Sequence, residues 1–249
     1  REDEKPAVMV FAAASLADVV RGIASDFSRE HGIAVDLNVA SSGTLARQIV
    51  TTGRADVFLS ASEFWMDEVE RSGWVDGASR KGFAGNQLVA VSSDRSDFEP
   101  RDIRDLAGLP FRFLAIGDPS HVPAGRYARA VLKDTRGDDG MTVWQKVADR
   151  ISPATDVRAA LTQATGRPDV LAIVYATDYR TRPGGLRLLP ELPAHPDHII
   201  RYHAGVAVNS PNSEAARAFF EYLGSAEARD RLQDHGFRVK MSSDVEDER

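Results

Sequence analysis

The sequence predicts an α/β protein folded as two lobes, one of them discontinuous, and three observations carry that prediction. Strand-like and helix-like segments alternate along the chain, no apolar run is long enough to cross a bilayer, and two strand-like stretches bracket the middle third. With 249 residues, 43% hydrophobic and 27% charged, the chain can bury one large core or two smaller ones, and disorder throughout is excluded. The longest apolar runs, 7–16 and 170–175, fall well short of the roughly 20 residues a membrane helix requires, so no membrane insertion is expected. A formal net charge of −6 with no basic run argues against a nucleic-acid partner. Cysteine is absent, which removes disulfides, thiolate metal ligands and a cysteine nucleophile. Residues 1–5 are strongly charged and lead straight into a strand-like run, as in a mature chain trimmed of its leader or in a cytosolic one.

In order, residues 7–11 read as a buried strand. Leu16, Val19, Val20, Ile23, Ala24 and Phe27 then recur with the helical period and form an apolar stripe that Gly32 terminates. Val35, Leu37 and Val39 alternate as a second strand. A short helix over 44–52 is capped by Gly53, 56–61 reads as a strand, and 63–72 reads as a helix in which Trp65, Met66 and Val69 face the core. Strands follow at 87–91 and 113–117, then helices at 123–132, 141–148 and 157–164, an apolar strand at 170–175 and a long strand over 199–208. Helices over 213–223 and 226–235 close the fold. The strands at 87–91 and 199–208 are placed to carry the chain out of one lobe and back. That gives lobe 1 as 7–86 plus 203–239, lobe 2 as 87–202, and a disordered acidic tail at 240–249.

Four strand ends run into helix starts through small or polar residues: FAAASL at 11–16, ASSGTLARQ at 40–48, GDPSHVPAG at 117–125 and PATDVRAAL at 153–161. Ser15 stands where an N-cap belongs, with Asp18 three residues on as in a capping box. Ser41, Ser42 and Gly43 precede the second helix. Pro123 suits a first helical position with Ala124 next, and Thr155 or Asp156 caps a helix that Val157 opens. The first N–H groups of a helix have no internal partner and carry about half a positive charge between them, so a helix start favours an anion. One such junction is an ordinary capped helix; four together point to an anion held by backbone amides and hydroxyls.

The strings FAAASL, ASSGTLARQ, ADVFLSA, GDPSHVPAGRYA, DVRAAL and IVYATD, in this order over residues 8–239, resemble the periplasmic molybdate-binding proteins of bacterial ABC importers. The resemblance implies a type II periplasmic binding protein, each lobe a mixed sheet flanked by helices, with the ligand in the interlobe cleft and closure presenting it to the importer's membrane subunits. It implies molybdate or tungstate as ligand, with no cofactor, no free metal cation and no basic side chain touching the guest. The contacts carried over are the hydroxyl and amide of Ser15 and of Ser42, the amides of Ala124 and Val157, and the hydroxyl of Tyr175. Gly43 departs from members that continue the serine run, leaving Ser42 but removing a neighbouring hydroxyl. A periplasmic, secreted chain whose signal peptide is absent from this sequence is implied, and a monomer is the default.

Molybdate is a dianion whose oxygens only accept hydrogen bonds, so a pocket of donors complements it, whereas a protonated phosphate also needs an acceptor. Sulfate has the same charge and shape but is smaller, and cavity size must separate the two. An enzyme would need a nucleophile and a base; His31, His121, His195, His198, His203 and His235 stand in no G-x-S-x-G or triad order. His195, His198 and His203 read as a polar loop leading into a strand, and His121 as a loop residue bonded to backbone. Asp118 and Asp156 are expected to face away from a dianion, with Arg158 paired to such a carboxylate. The competing readings are a binding protein of the same fold for another anion such as sulfate, and a hydrolase.

Overall fold

Val8, Val10, Phe11 and Ala12 lie buried along β1 (Ala7–Ala13) because the strand is flanked on both sides by parallel neighbours, β2 (Ala34–Ala40) and β3 (Val57–Ser60). This is a computed structural model, and it describes residues 7–182, 184–191 and 200–239. The acidic tail at 240–249 and the histidines at 195 and 198 lie outside the described residues.

The chain divides into two compact units, Arg1–Gly85 with Arg201–Arg249, and Asn86–Ile200. The first is built on a sheet of order β2-β1-β3-β10-β4, completed by β4 (Val75–Asn86) and β10 (Ile200–Ala207), the latter antiparallel to β3. The second has the order β7-β6-β8-β5-β9, from β5 (Leu88–Ser93), β6 (Phe113–Gly117), β7 (Ile151–Ala154), β8 (Val170–Tyr175) and β9 (Leu186–Glu191). There β6 runs parallel to β7 and β8, while β5 is antiparallel to β8 and β9. Both units therefore follow one plan: three neighbouring parallel strands whose carboxyl ends share an edge, with an antiparallel strand next in order.

Helices cover the faces. In the first unit they are α1 (Ala17–His31), α2 (Ser42–Thr52), α3 (Glu63–Arg71), α8 (Ser213–Tyr222) and α9 (Ala226–Asp234); in the second they are α4 (Pro123–Asp134), α5 (Val143–Val147), α6 (Val157–Ala164) and α7 (Ala176–Thr181). The predicted stripe of α1 is the buried one, and its helix ends on Gly32 at φ 70°, a left-handed conformation that suits glycine. Phe27 at the end of that stripe packs edge-on against Phe219 of α8, 5.2 Å between ring centres, and burying it contributes about 1.5–3 kcal/mol. Trp65, Met66 and Val69 of α3 join Leu45 and Ile49 of α2 over Phe11 and Phe58, the core role the sequence assigns them.

The long strand β4 was not expected, because its run VDGASRKGFAGN carries three glycines and reads as a turn-rich loop. Neither β7, which contains Pro153, nor β9 was foreseen. The chain passes from the first unit to the second at Gly85–Asn86, at the end of β4 and just ahead of β5.

Candidate functional site

In the first unit, β1 and β2 finish in register at Ala13 and Ala40, so Ser15 and Ser42 each stand two residues beyond paired strand ends. Ser15 falls in a 3-10 turn, Ala14–Leu16, inserted between β1 and α1. That turn makes Leu16 the N-cap of α1, with no side-chain cap, so the capping box predicted from Ser15 and Asp18 does not form. The Ser15 hydroxyl instead lies 2.9 Å from the phenol oxygen of Tyr202 on β10, and both side chains are buried. At the second junction Ser41 is the cap, its Oγ accepting from Thr44 N at 3.3 Å, which places Ser42 and Gly43 inside the first turn of α2 rather than ahead of it. Ser42 is fully buried, and its Oγ accepts the N–H of Ala61, just beyond β3, at 3.0 Å. With that accepting direction occupied, the Ser42 hydrogen is directed elsewhere, as a donor.

Arg80 on β4 is ion-paired with Asp67 at 2.6 Å, Glu70 at 2.7 Å and Glu63 at 3.6 Å, all on α3. Burial works against the Arg80 charge, but its hydrogen bonds to Glu70 and Asp67 prevail and raise its pKa above the usual arginine range. His203, opposite Ser60 on β10, is buried with its Nε2 unbonded; burial, with Arg80 adding to it, pushes the imidazole below the ordinary histidine value and so towards the neutral form.

In the second unit three parallel strands deliver the other predicted residues. Gly117 of β6 pairs with Ala154 of β7, and Tyr175 ends β8. α4 opens with Pro123 at its first position after Val122, which supplies no side-chain cap, so the amide of Ala124 is not taken by a cap. Gly125 follows because a Cβ there would lie 1.7 Å from the carbonyl oxygen of Gly117. The start of α4 is thereby packed hard against the end of β6. At α6, Asp156 caps by accepting from Arg158 N at 2.8 Å and Ala159 N at 2.9 Å, which leaves the amide of Val157 outside the cap. Ala124, Val157 and Tyr175 are all buried.

The charged groups beside these helix starts are tied down. Asp118 accepts from Ser120 N at 2.8 Å, and Arg158 Nε donates to the buried Asp178 at 3.3 Å. The ring of His121 meets the Ser120 hydroxyl at 3.0 Å rather than a backbone group. A basin of about 920 Å³ elsewhere on this unit, lined by Arg101, Arg104, Asp139 and Lys146, is open and mixed in charge, with Arg104 and Lys146 already ion-paired to Asp102 and Asp139. Among the described residues no group of three or more histidine or acidic side chains is placed to hold a metal ion, and no helix is long and apolar enough to cross a membrane.

The structure thus places Ser15 and Ser42 together in one unit, and Ala124, Val157 and Tyr175 together in the other, all at the carboxyl edge of parallel strands where ligands of α/β sheets collect. Sequence reasoning missed Ala61 and Tyr202, the hydrogen-bond partners of the two serine hydroxyls.

Comparison with known proteins agrees with this architecture. Residues 8–238 match the family described as bacterial extracellular solute-binding protein. The molybdate-binding protein ModA of Escherichia coli is 35% identical over 237 residues, covering 94% of this chain and 89% of that protein. The periplasmic molybdate-binding protein of Azotobacter vinelandii superposes with a TM-score of 0.80 at 22% identity, over 94% of this chain and 100% of that one. The sulfate-binding protein SubI of Mycobacterium tuberculosis does so equally, at 0.80 and 16% identity, over 96% and 88%. Those two superpositions speak for the fold alone. The family match over nearly the whole length, with the Escherichia coli relative beside it, places the chain among the bacterial extracellular solute-binding proteins.

Proposed function

We propose that this chain captures molybdate outside the cytoplasm and delivers it to the membrane subunits of an ABC importer, without a cofactor and without chemistry on the ion. The donors proposed for the ion are Ser15 and Ser42 of one unit and Ala124, Val157 and Tyr175 of the other. The observation that carries this reading is the state of three nominated donors: Ser42 already accepts from Ala61, Asp156 caps past Val157, and Val122 leaves Ala124 uncapped. Such groups solvate a dianion without a net countercharge, and backbone amides at helix starts are favourable partners for it. The 35% identity to a protein named for molybdate binding supports the choice of ion. Tungstate, of the same charge and shape, is expected to bind at the same place. The protein acts as a monomer in the periplasm.

Isothermal titration with sodium molybdate tests it: saturable binding of one ion per chain is expected, weakened by substitution in either unit. A sulfate-binding role is the second reading, favoured by the equal superposition on a sulfate-binding protein. Tighter binding of sulfate than of molybdate would install it in place of the first.

A further inference from the structure

We propose that Tyr202 is a positioning residue that fixes the Ser15 hydroxyl as a donor, and so sets the class of anion accepted: a fully deprotonated tetrahedral dianion over one that carries a proton. The inference rests on the reading above, in which Ser15 contacts the guest.

Tyr202 is fully buried on β10, and β10 is separated from β1 by β3, so the phenol reaches across a strand to the turn that holds Ser15. Its ring is seated between Phe83 of β4, 6.3 Å away, and Phe237 beyond α9, 5.4 Å away, both edge-on. Clamped in this way, its oxygen is held 2.9 Å from Ser15 Oγ. A phenol, with a pKa of about 10, is a better donor and a poorer acceptor than an aliphatic alcohol, so in this pair the tyrosine donates and the serine accepts. The Ser15 hydrogen is then turned away from Tyr202. Ser42 is set by the same logic with a different donor, the backbone N–H of Ala61. Both hydroxyls therefore meet a guest hydrogen first, and with one lone pair of each already taken they are poorer acceptors for an anion that bears its own proton. Of the two constraints only the one at Ser15 comes from a side chain, and it can be removed without touching the backbone.

Tyr202→Phe keeps the ring between Phe83 and Phe237 and deletes the donor, freeing Ser15 to accept. Titration of wild type and variant with molybdate and with inorganic phosphate, at neutral pH, reads the effect as a ratio. The variant is expected to bind molybdate up to about tenfold more weakly, the worth of the neutral hydrogen bond that orders the Ser15 donor, while phosphate binding holds or improves. The same substitution in a Ser15→Ala background is expected to leave the ratio where Ser15→Ala alone puts it, since Tyr202 acts through Ser15. A parallel loss for both anions, or an unchanged ratio, overturns the positioning role and leaves molybdate binding standing. Failure of the wild-type chain to bind any of these anions removes both.

Discussion

At the scale of single residues, the decisive feature is a serine whose oxygen is engaged by the protein and whose hydrogen is not. Ser42→Ala deletes that hydrogen, and the expected loss of molybdate affinity is about 1.5–3 kcal/mol, or roughly ten- to a hundredfold or somewhat more. Calorimetry reads it directly, and an unchanged dissociation constant would take Ser42 out of the site. The variant also leaves the buried N–H of Ala61 without the 3.0 Å bond it makes now, so the melting temperature of the free protein should fall as well. The junctions that hold Ser15 and Ser42 were legible because small polar residues between a buried strand and an amphipathic helix mark a helix start. Tyr202 was not legible. It is one aromatic in an alternating strand, and its partner lies 187 residues away, brought near only by a sheet order that the sequence does not display.

Among the elements, what aims the donors is the seating of each helix start on its strand end, and α4 is the tightest case. Gly125→Ala would thrust a methyl group to within 1.7 Å of the Gly117 carbonyl oxygen, a backbone atom that no rotamer change can move aside. The first turn of α4 must lift, carrying the Ala124 amide with it. Overpacking of this kind destabilises by about 1–3 kcal/mol, measurable as a lower urea midpoint, and molybdate affinity should fall in the same variant. Wild-type behaviour in both assays would mean that α4 is not held against β6. Elements with one strong periodicity were read well: the ranges expected for β6, α6 and β8 match the observed strands and helix. Where periodicity is weak the reading failed. β4 hides its strand character behind glycines, β7 behind a proline, and the 3-10 turn before α1 shifted the cap by one residue without altering the apolar stripe on which the helix was recognised. Local pattern reports which face is buried, whereas a strand that owes its place to hydrogen bonds from a distant neighbour leaves no such mark.

On the scale of the whole molecule, a ligand that binds only the folded state adds stability by mass action, growing with the logarithm of its concentration over its dissociation constant. At about 100 times its dissociation constant an ion contributes about 2.7 kcal/mol. For a chain of 249 residues, each kilocalorie per mole moves the melting temperature by about 2–4 °C, so saturating molybdate is expected to raise it by about 5–11 °C. Tungstate should do nearly the same. Sulfate, with shorter bonds, is expected to reach fewer of the amides and hydroxyls, and phosphate brings a proton that serines set as donors accept poorly, so both should shift the transition far less at equal concentration. The four ions differ little in how they affect water at these low concentrations, which makes the order among them a report on the site rather than on bulk salt. If molybdate and tungstate shift the transition no more than sulfate does, donors at helix starts are not selecting the larger ion. If none of the four shifts it, the cargo is not a tetrahedral oxyanion.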